Sequence, residues 1–243
     1  MATPFRIKRS AVPGKVPQVA DLQLGELALN TNDAELYTLR ARAGLATDVV
    51  RVGAGASIRN VIYVTKDGKD TNTGKKPGDA KATVKAAVAI ASTIPGSIVK
   101  VSAGTYVENN PIKVGPQVSI VGDSLREVTV VPQNAGEDLF HVAPGDLISD
   151  MSFTGTMLKG KAVTAFDPDT IRYSGQSPYL LNCTNFITNS IGMKIDGSKV
   201  IGPFKSFVCD SFTQYNQNGV GCSITNEGYA QLVSLFSINS AES

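Results

Sequence analysis

Two rhythms of apolar and polar positions divide the chain. In DLQLGELALN, Leu22, Leu24, Leu27 and Leu29 alternate with polar residues as in a half-buried strand, interrupted at Gly25. Asn30, Thr31, Asn32 and Asp33 then supply a turn, and ELYTLR, with Tyr37, opens a second strand. Pro4, Pro13 and Pro17 with Gly14 keep the preceding stretch extended, and RVGAGASIRN, with Gly53 and Gly55, reads as a linker. Residues 1–59 hold too few large apolar side chains for an independent core, so this module is expected to need a partner.

From Val61 the rhythm changes. VIYVTKDGKDTNTGKKPGD is a strand followed by a polar loop, and ATVKAAVAIAS, residues 82–92, predicts a short helix with Val84, Ala87, Val88 and Ala91 on one face. Pro95 and Gly96 stop it, and SIVKVSAGTY returns to strand. Short strands then follow one another to the last residues, bounded by Gly, Pro, Asn or Asp and almost without the hairpin dipeptides an antiparallel sandwich needs. A solenoid needs only corners, so residues 60–243 are expected to form a parallel β-helix with the helix capping its first coil. Inward positions expected from the alternation include Ile98, Ile120, Phe140, Phe153, Leu180, Phe186, Met193, Phe207, Ile224, Leu232 and Leu235. Beyond Leu235 no cap is evident, so the last coil is expected to meet a partner or more chain.

Composition narrows the function classes. The 23 basic and 21 acidic residues nearly cancel, which points to neither a nucleic-acid binder nor a membrane-surface protein. Arg6, Lys8, Arg9 and Lys15 precede the first acidic residue and read as a solvated tail. No apolar signal region or spanning stretch occurs. Cys183, Cys209 and Cys222 lack a CxxC pattern or a nearby histidine and read as small buried hydrophobes, in keeping with assembly in a reducing cytoplasm.

Two stretches carry a family resemblance. IYVTKDGKDTNTGKKPGDAKATVKAAVAIA, IVKVSAGTYVENNPIKV and VSIVGDS resemble the opening of pectin-lyase-like right-handed β-helix proteins. PGKVPQVADLQLGELALNTNDAELYT resembles a small amino-terminal module of phage tail-fibre and receptor-binding proteins, "P-LxxGELALNxxDGxLY", with Ala34 in place of its turn glycine. The later coils, with SPYLLNCTNF and IGMKIDG, resemble β-helix structural proteins of cyanobacterial phages. The resemblances imply a virion appendage: a tail fibre, spike, neck or baseplate component, assembled in the host cytoplasm as a homotrimer. Its amino-terminal module would dock other virion proteins through Leu22, Leu24, Leu27, Leu29 and Tyr37, and a host surface glycan is a further partner.

The inventory of reactive groups points away from an enzyme. His141 is the only histidine, expected on the outer face, and no GxSxG elbow exists for it to serve. Glycoside hydrolysis needs two carboxylates across a sugar bond, and the nearest pairs are Asp167 with Asp169, Asp146 with Asp150, and Glu137 with Asp138, all in corner-like segments. Lys194 and Arg172 are isolated basic candidates, and no run of aspartates at coil spacing is apparent, so neither carbohydrate cleavage nor a calcium site is expected. RVGAGAS lacks the GKS or GKT ending of a phosphate loop, and no cofactor is expected. Asn182, Asn185, Asn189, Asn216 and Asn218 are expected to stack as a structural ladder; Tyr173, Tyr179, Tyr215 and Tyr229 read as surface or interface residues.

Overall fold

The computed structural model describes residues 7–42, 45–52, 60–169, 171–172, 176–202, 205–238 and 240–241. Gly53, Gly55 and Tyr173 lie outside the described residues, as does the side chain of Arg172. The chain forms two compact units, Met1–Ile58 and Arg59–Ser243.

The first unit is a four-stranded sheet in the order Lys8–Ser10, Leu27–Asn30, Glu35–Arg42, Leu45–Arg51. The first pairing is parallel and the other two are antiparallel. Its small core is Leu22, Ala28, Tyr37 and Leu39, with Val49 packed against it. The expected strand through DLQLGELALN is shorter than its alternation implies. Gly25, at φ 86°, breaks it, and only Leu27–Asn30 pairs. On that strand Ala28 and Asn30 face in, whereas Leu27 and Leu29 are half-buried and Leu24 is 52% exposed.

Asn30 is the residue that organises the turn. Its amide donates to Val12 O at 3.0 Å, Lys15 O at 3.1 Å and Asp33 Oδ2 at 2.7 Å, while its oxygen accepts from Asn32 N. Asp33 Oδ2 also accepts from Gly14 N at 2.6 Å, so one buried amide and one carboxylate tie the extended segment to the hairpin. Ala34 then sits at φ 55°, a left-handed conformation that a Cβ disfavours. Replacing Ala34→Gly is expected to stabilise this unit by about 1 kcal/mol, read as a higher unfolding midpoint in urea.

In the second unit strands stack in parallel, coil upon coil. One sheet runs Val61–Val64, Ile98–Val101, Ser119–Gly122, Leu147–Phe153, Tyr179–Asn185, Ser206–Gln214 and Tyr229–Ser237. Gly104–Glu108 and Val128–Pro132 join it by pairing beneath the second half of Leu147–Phe153. Another sheet stacks Ile112–Lys113, Phe140–Val142, Ala162–Phe166, Ile191–Asp196 and Val220–Thr225. Every pairing in both sheets is parallel, giving a β-helix-like fold around one apolar core.

The long strands contain a corner one residue wide. Asp150 sits at φ 59°, and the register places Asn182 at 48°, Ser211 at 55° and Ser234 at 50° on the same column. A single left-handed residue redirects the strand and inverts its alternation, so Leu180 and Cys183 both face in, as do Cys209 and Phe212. Two expectations fall for this reason. Phe186, counted as inward from Leu180, is 44% exposed, and Asn185 takes the inward place with Gln214 above it. The expected asparagine ladder also divides: Asn182 donates to Asp150 Oδ1, Asn185 bonds Ser190 and Gln214, and Asn216 bonds Ser190 O and Val220 O. Ile98 is half-buried because Val99 and Val101 take the inward parity of its strand. Ile224 and Leu232 hold inward registers, opposite Ile195 and Cys209, but are exposed because no further described strand covers them.

The helix Val84–Ala91 packs on Val61–Val64, Ile98–Val101 and Ile112–Lys113, and Val84, Ala87, Val88 and Ala91 are buried in the core. Thr83 caps its first turn by accepting from Ala86 N, and Asp70 accepts from the Ala82 and Thr83 amides. The remaining free amides, Val84 N and Lys85 N, donate at 2.7 and 3.0 Å to the two oxygens of Glu108, a wholly buried residue from the next coil. Asp146 plays a similar part at a turn, accepting from Val118 N at 3.1 Å and Ala143 N at 2.6 Å. Burial pushes Glu108 above the usual carboxylate range and Asp146 up to about 8.

Candidate functional site

The outer face of the second sheet gathers ionisable groups from successive coils. Lys113, His141, Ala165, Lys194 and Ser223 share one register column. Beside it a hollow of about 170 Å³ is lined by Asp138, Asp167, Lys194, Asp196, Ser198 and Lys199, with Ala165, Phe166 and Pro168. Asp138, Asp167 and Asp196 come from three consecutive coils; Asp167 and Asp196 continue one register, whereas Asp138 stands opposite Ala162, so the three converge on the hollow without stacking at one position. Their convergence was hidden because the three sit in different local contexts: before a strand, after a strand, and at a strand's last residue.

Each carboxylate is held by a specific partner. Asp138 Oδ1 accepts from Ala162 N at 2.7 Å, and its Oδ2 lies 3.2 Å from His141 Nε2. Burial pushes the Asp138 carboxyl up, but the His141 ring, the Ala162 amide and Lys194 outweigh that and hold it below the usual range. Asp167 is buried, and Lys113 Nζ lies 3.1 Å from its Oδ2. Its Oδ1 accepts from Asp169 N, and Asp169 in turn pairs with Lys113. Asp196 accepts from Asn226 Nδ2 at 2.7 Å and Ser198 N at 2.9 Å, bonds that hold it low. His141, expected as a surface histidine, keeps its outer-face register but is buried against Asp138.

The arrangement offers fixed acceptors beside ammonium donors, which suits a polyhydroxylated ligand. It is less suited to acid catalysis, because a general acid needs a carboxyl pushed up toward neutrality, and Asp138, Asp169 and Asp196 are all held low. The two raised carboxyls, Asp146 and Glu108, are bound to backbone amides in the interior. No three His, Cys, Asp or Glu among the described residues are grouped to hold a metal ion. Among the described residues no helix is long and apolar enough to cross a membrane.

The other residues singled out from the sequence lie apart from this hollow. Asp150 occupies the corner column, and Glu137 sits 3.8 Å from Lys161. Leu22 and Tyr37 belong to the core of the first unit, while Leu24, Leu27 and Leu29 lie toward its surface. Cys183 and Cys209 are buried and Cys222 half-buried, all unpaired thiols.

No family model matches the chain, and no curated protein matches it either. Among solved structures it is similar to the ORF18 product of Geobacillus virus E2, at 16% identity and a TM-score of 0.37, covering 91% of this chain and 52% of that one. It is similar to a rhamnogalacturonan lyase at 14% identity and a TM-score of 0.33, covering 75% and 66% of the two chains. A third likeness is to a tailspike of the Acinetobacter baumannii bacteriophage Fri1, a capsular polysaccharide depolymerase, at 12% identity and a TM-score of 0.31, covering 98% and 59%. The chain thus spans about half the length of the viral ORF18 product.

Proposed function

We propose that the protein is a structural component of a bacteriophage tail or appendage, which docks to the particle through residues 1–59 and projects a stiff, right-handed, pectin-lyase-like β-helix. The observation that carries this reading is the amino-terminal motif. The position where the resembled tail-fibre module has glycine is occupied by Ala34 in a left-handed conformation, beside the buried Asn30 and the exposed Asp33 that close the same turn. A left-handed residue at that position is the backbone the module's glycine would serve, which supports the reading. The β-helix supplies rigidity, since each coil adds continuous hydrogen bonds and a stacked core, and the helix Val84–Ala91 serves as its cap. Homotrimer formation, contact with other virion proteins and location on the particle belong to the same reading.

Docking falls to Leu24, Leu27 and Leu29 rather than to Leu22 and Tyr37, which hold the unit together. Immunogold labelling of purified particles should find the protein at the tail, and Leu24→Lys should abolish its incorporation while leaving the melting temperature unchanged. A chain recovered only as a free monomer, absent from particles, would sink the reading.

The hollow between Asp138, Asp167 and Asp196 favours a second, subsidiary role as a host-glycan contact without cleavage. Adsorption of the purified protein to host cells with no release of reducing sugar is the expected result.

A further inference from the structure

The basic residues near the amino terminus, expected as a solvated tail, are built into the first unit. Lys8 and Arg9 lie on its edge strand Lys8–Ser10, and Lys15 stands on the extended segment that Asn30 ties to the hairpin. Between that strand and that segment the unit has a cleft of about 360 Å³. The register explains the depression. Lys8, Ala28 and Tyr37 follow one another in a single row across three strands, so a methyl group stands between two long side chains. Leu22, Ala28 and Tyr37 give the cleft an apolar floor, and Lys8, Arg9 and Lys15 line it as well.

The polar groups of the cleft are unevenly engaged. The Asn30 amide donates to Val12 O, Lys15 O and Asp33, the Tyr37 hydroxyl donates to Glu35, and Ser10 Oγ accepts from Val12 N. Asp21, the one carboxylate in the lining, accepts from Gln18 N at 2.8 Å, and Lys8 Nζ donates to Asp21 O and Glu26. Arg9 and Lys15 are exposed, and among the described residues neither forms an ion pair. Arg9 also turns its backbone outward. Ser10 O accepts from Thr31 N, and in a parallel ladder alternate residues bond the same neighbour, so the N–H and C=O of Arg9 face the open edge. What is left free is a pair of cations and one backbone donor and acceptor, beside an apolar floor.

A small anion would use the cations and leave the floor empty, whereas a purely apolar molecule would leave the cations unused. An extended peptide with an apolar side chain flanked by carboxylates uses both. The cleft is within the range of ligand sites, about 300–1,000 Å³, and sheet edges take extended segments through main-chain hydrogen bonds with pockets for alternate side chains. We propose that this cleft binds an extended acidic segment of another protein, one apolar side chain seated over Ala28 and its neighbouring carboxylates toward Arg9 and Lys15. Leu29, one of the docking leucines, also lines the cleft, so the segment belongs to a virion protein at the docking site. That assignment of the partner rests on the docking reading above, whereas the cleft and the chemistry of its ligand do not.

Fluorescence anisotropy of the full chain with the labelled peptide EDFDE tests the cleft. Wild type should bind it, and replacing its Phe by Ser should weaken binding by about tenfold or more, the worth of one buried apolar side chain. The double variant Arg9→Glu with Lys15→Glu should lose EDFDE and bind KKFKK instead, an exchange of preference that no folding defect could produce. Absence of EDFDE binding, equal binding of EDSDE, or an unchanged preference in the double variant overturns the proposal. Displacement of EDFDE by an equal concentration of inorganic phosphate or of an oligothymidylate would make the rim a plain anion surface and overturn it too. Leu24→Lys, outside the cleft lining, should bind EDFDE as wild type does. Peptide binding by a protein absent from particles would therefore remove the docking reading and leave the cleft, and no peptide binding by a protein present on particles would do the reverse.

Discussion

Acidifying the protein from about pH 8 to about pH 5 is expected to raise its melting temperature by on the order of 10 °C, the reverse of the usual acid response. Asp146 is the source. Its carboxyl is buried, and burial pushes it from 3.8 up to about 8 even though backbone amides bond to it. Between those values the folded state holds a proton that the unfolded state has released, so stability falls as pH rises across that interval and is fully present below it. At about 1.4 kcal/mol per unit, the whole interval is worth on the order of 5 kcal/mol. Glu108, raised chiefly by burial, acts in the same direction. Asp138 and Asp196 act oppositely, since their carboxyls are held low and their contribution is lost only as pH falls through and below the usual carboxylate range. The stability maximum should therefore lie near pH 4 to 5, as set by those shifts. Asp146→Asn should remove most of the slope. It should also cost about 1–3 kcal/mol, because both carboxylate oxygens accept from backbone amides and an amide side chain can accept at only one of them. A wild-type melting temperature that is flat or rising from pH 5 to pH 8 would contradict this account.

How far the sequence carries can be judged from particular residues. The helix was legible because Val84, Ala87, Val88 and Ala91 follow a 3.6-residue period, and all four are buried. Parallel stacking was legible from what is missing, since corners without hairpin dipeptides leave a solenoid as the economical solution. The sense of the alternation was not legible across the corner. Asp150, Asn182, Ser211 and Ser234 look like ordinary polar residues in a strand, and only their positive φ reveals that each inverts the pattern after it. That inversion misplaces Phe186 and hides Asn185 and Gln214, polar residues at inward positions that no hydrophobicity pattern selects. A similar inversion at Gly25 moves Leu27 and Leu29 off the inner face.

The ionisable hollow was illegible for a different reason. Carboxylates on neighbouring coils are brought together by register, and register depends on loop lengths that vary from coil to coil. Asp138, Asp167 and Asp196 each look like a local turn residue, and two of them do serve turns, Asp167 toward Asp169 N and Asp196 toward Ser198 N. Only the fold shows that these local duties also line one hollow. Aligning the strands Phe140–Val142, Ala162–Phe166 and Ile191–Asp196 in register would have set Asp167 beside Asp196 but Asp138 opposite Ala162, so part of the hollow stays hidden even then.

Gly192→Ala should be among the most damaging single-atom changes to the β-helix, and the buried amide of Gln214 explains why. A Cβ at Gly192 would lie 1.8 Å from Gln214 Oε1 and 2.3 Å from its Nε2. The amide cannot simply swing away. It is wholly buried, donates to Gly221 O at 2.5 Å and accepts from Asn185 Nδ2 at 3.4 Å. Admitting the methyl therefore combines overpacking, about 1–3 kcal/mol, with the loss of buried hydrogen bonds, about 1–3 kcal/mol more. Gln214→Ala alone should cost about 2–3 kcal/mol through unmet polar groups and the space it vacates. In the Gln214→Ala background, however, Gly192→Ala should be nearly neutral, because its methyl enters that vacated space. A double-mutant cycle read by denaturant unfolding should thus give a coupling of several kcal/mol, about the whole cost of the Gly192 change. Additive effects would mean that the glycine is required by its backbone alone, and that the polar inward column of Asn185 and Gln214 does not set the packing of this sheet.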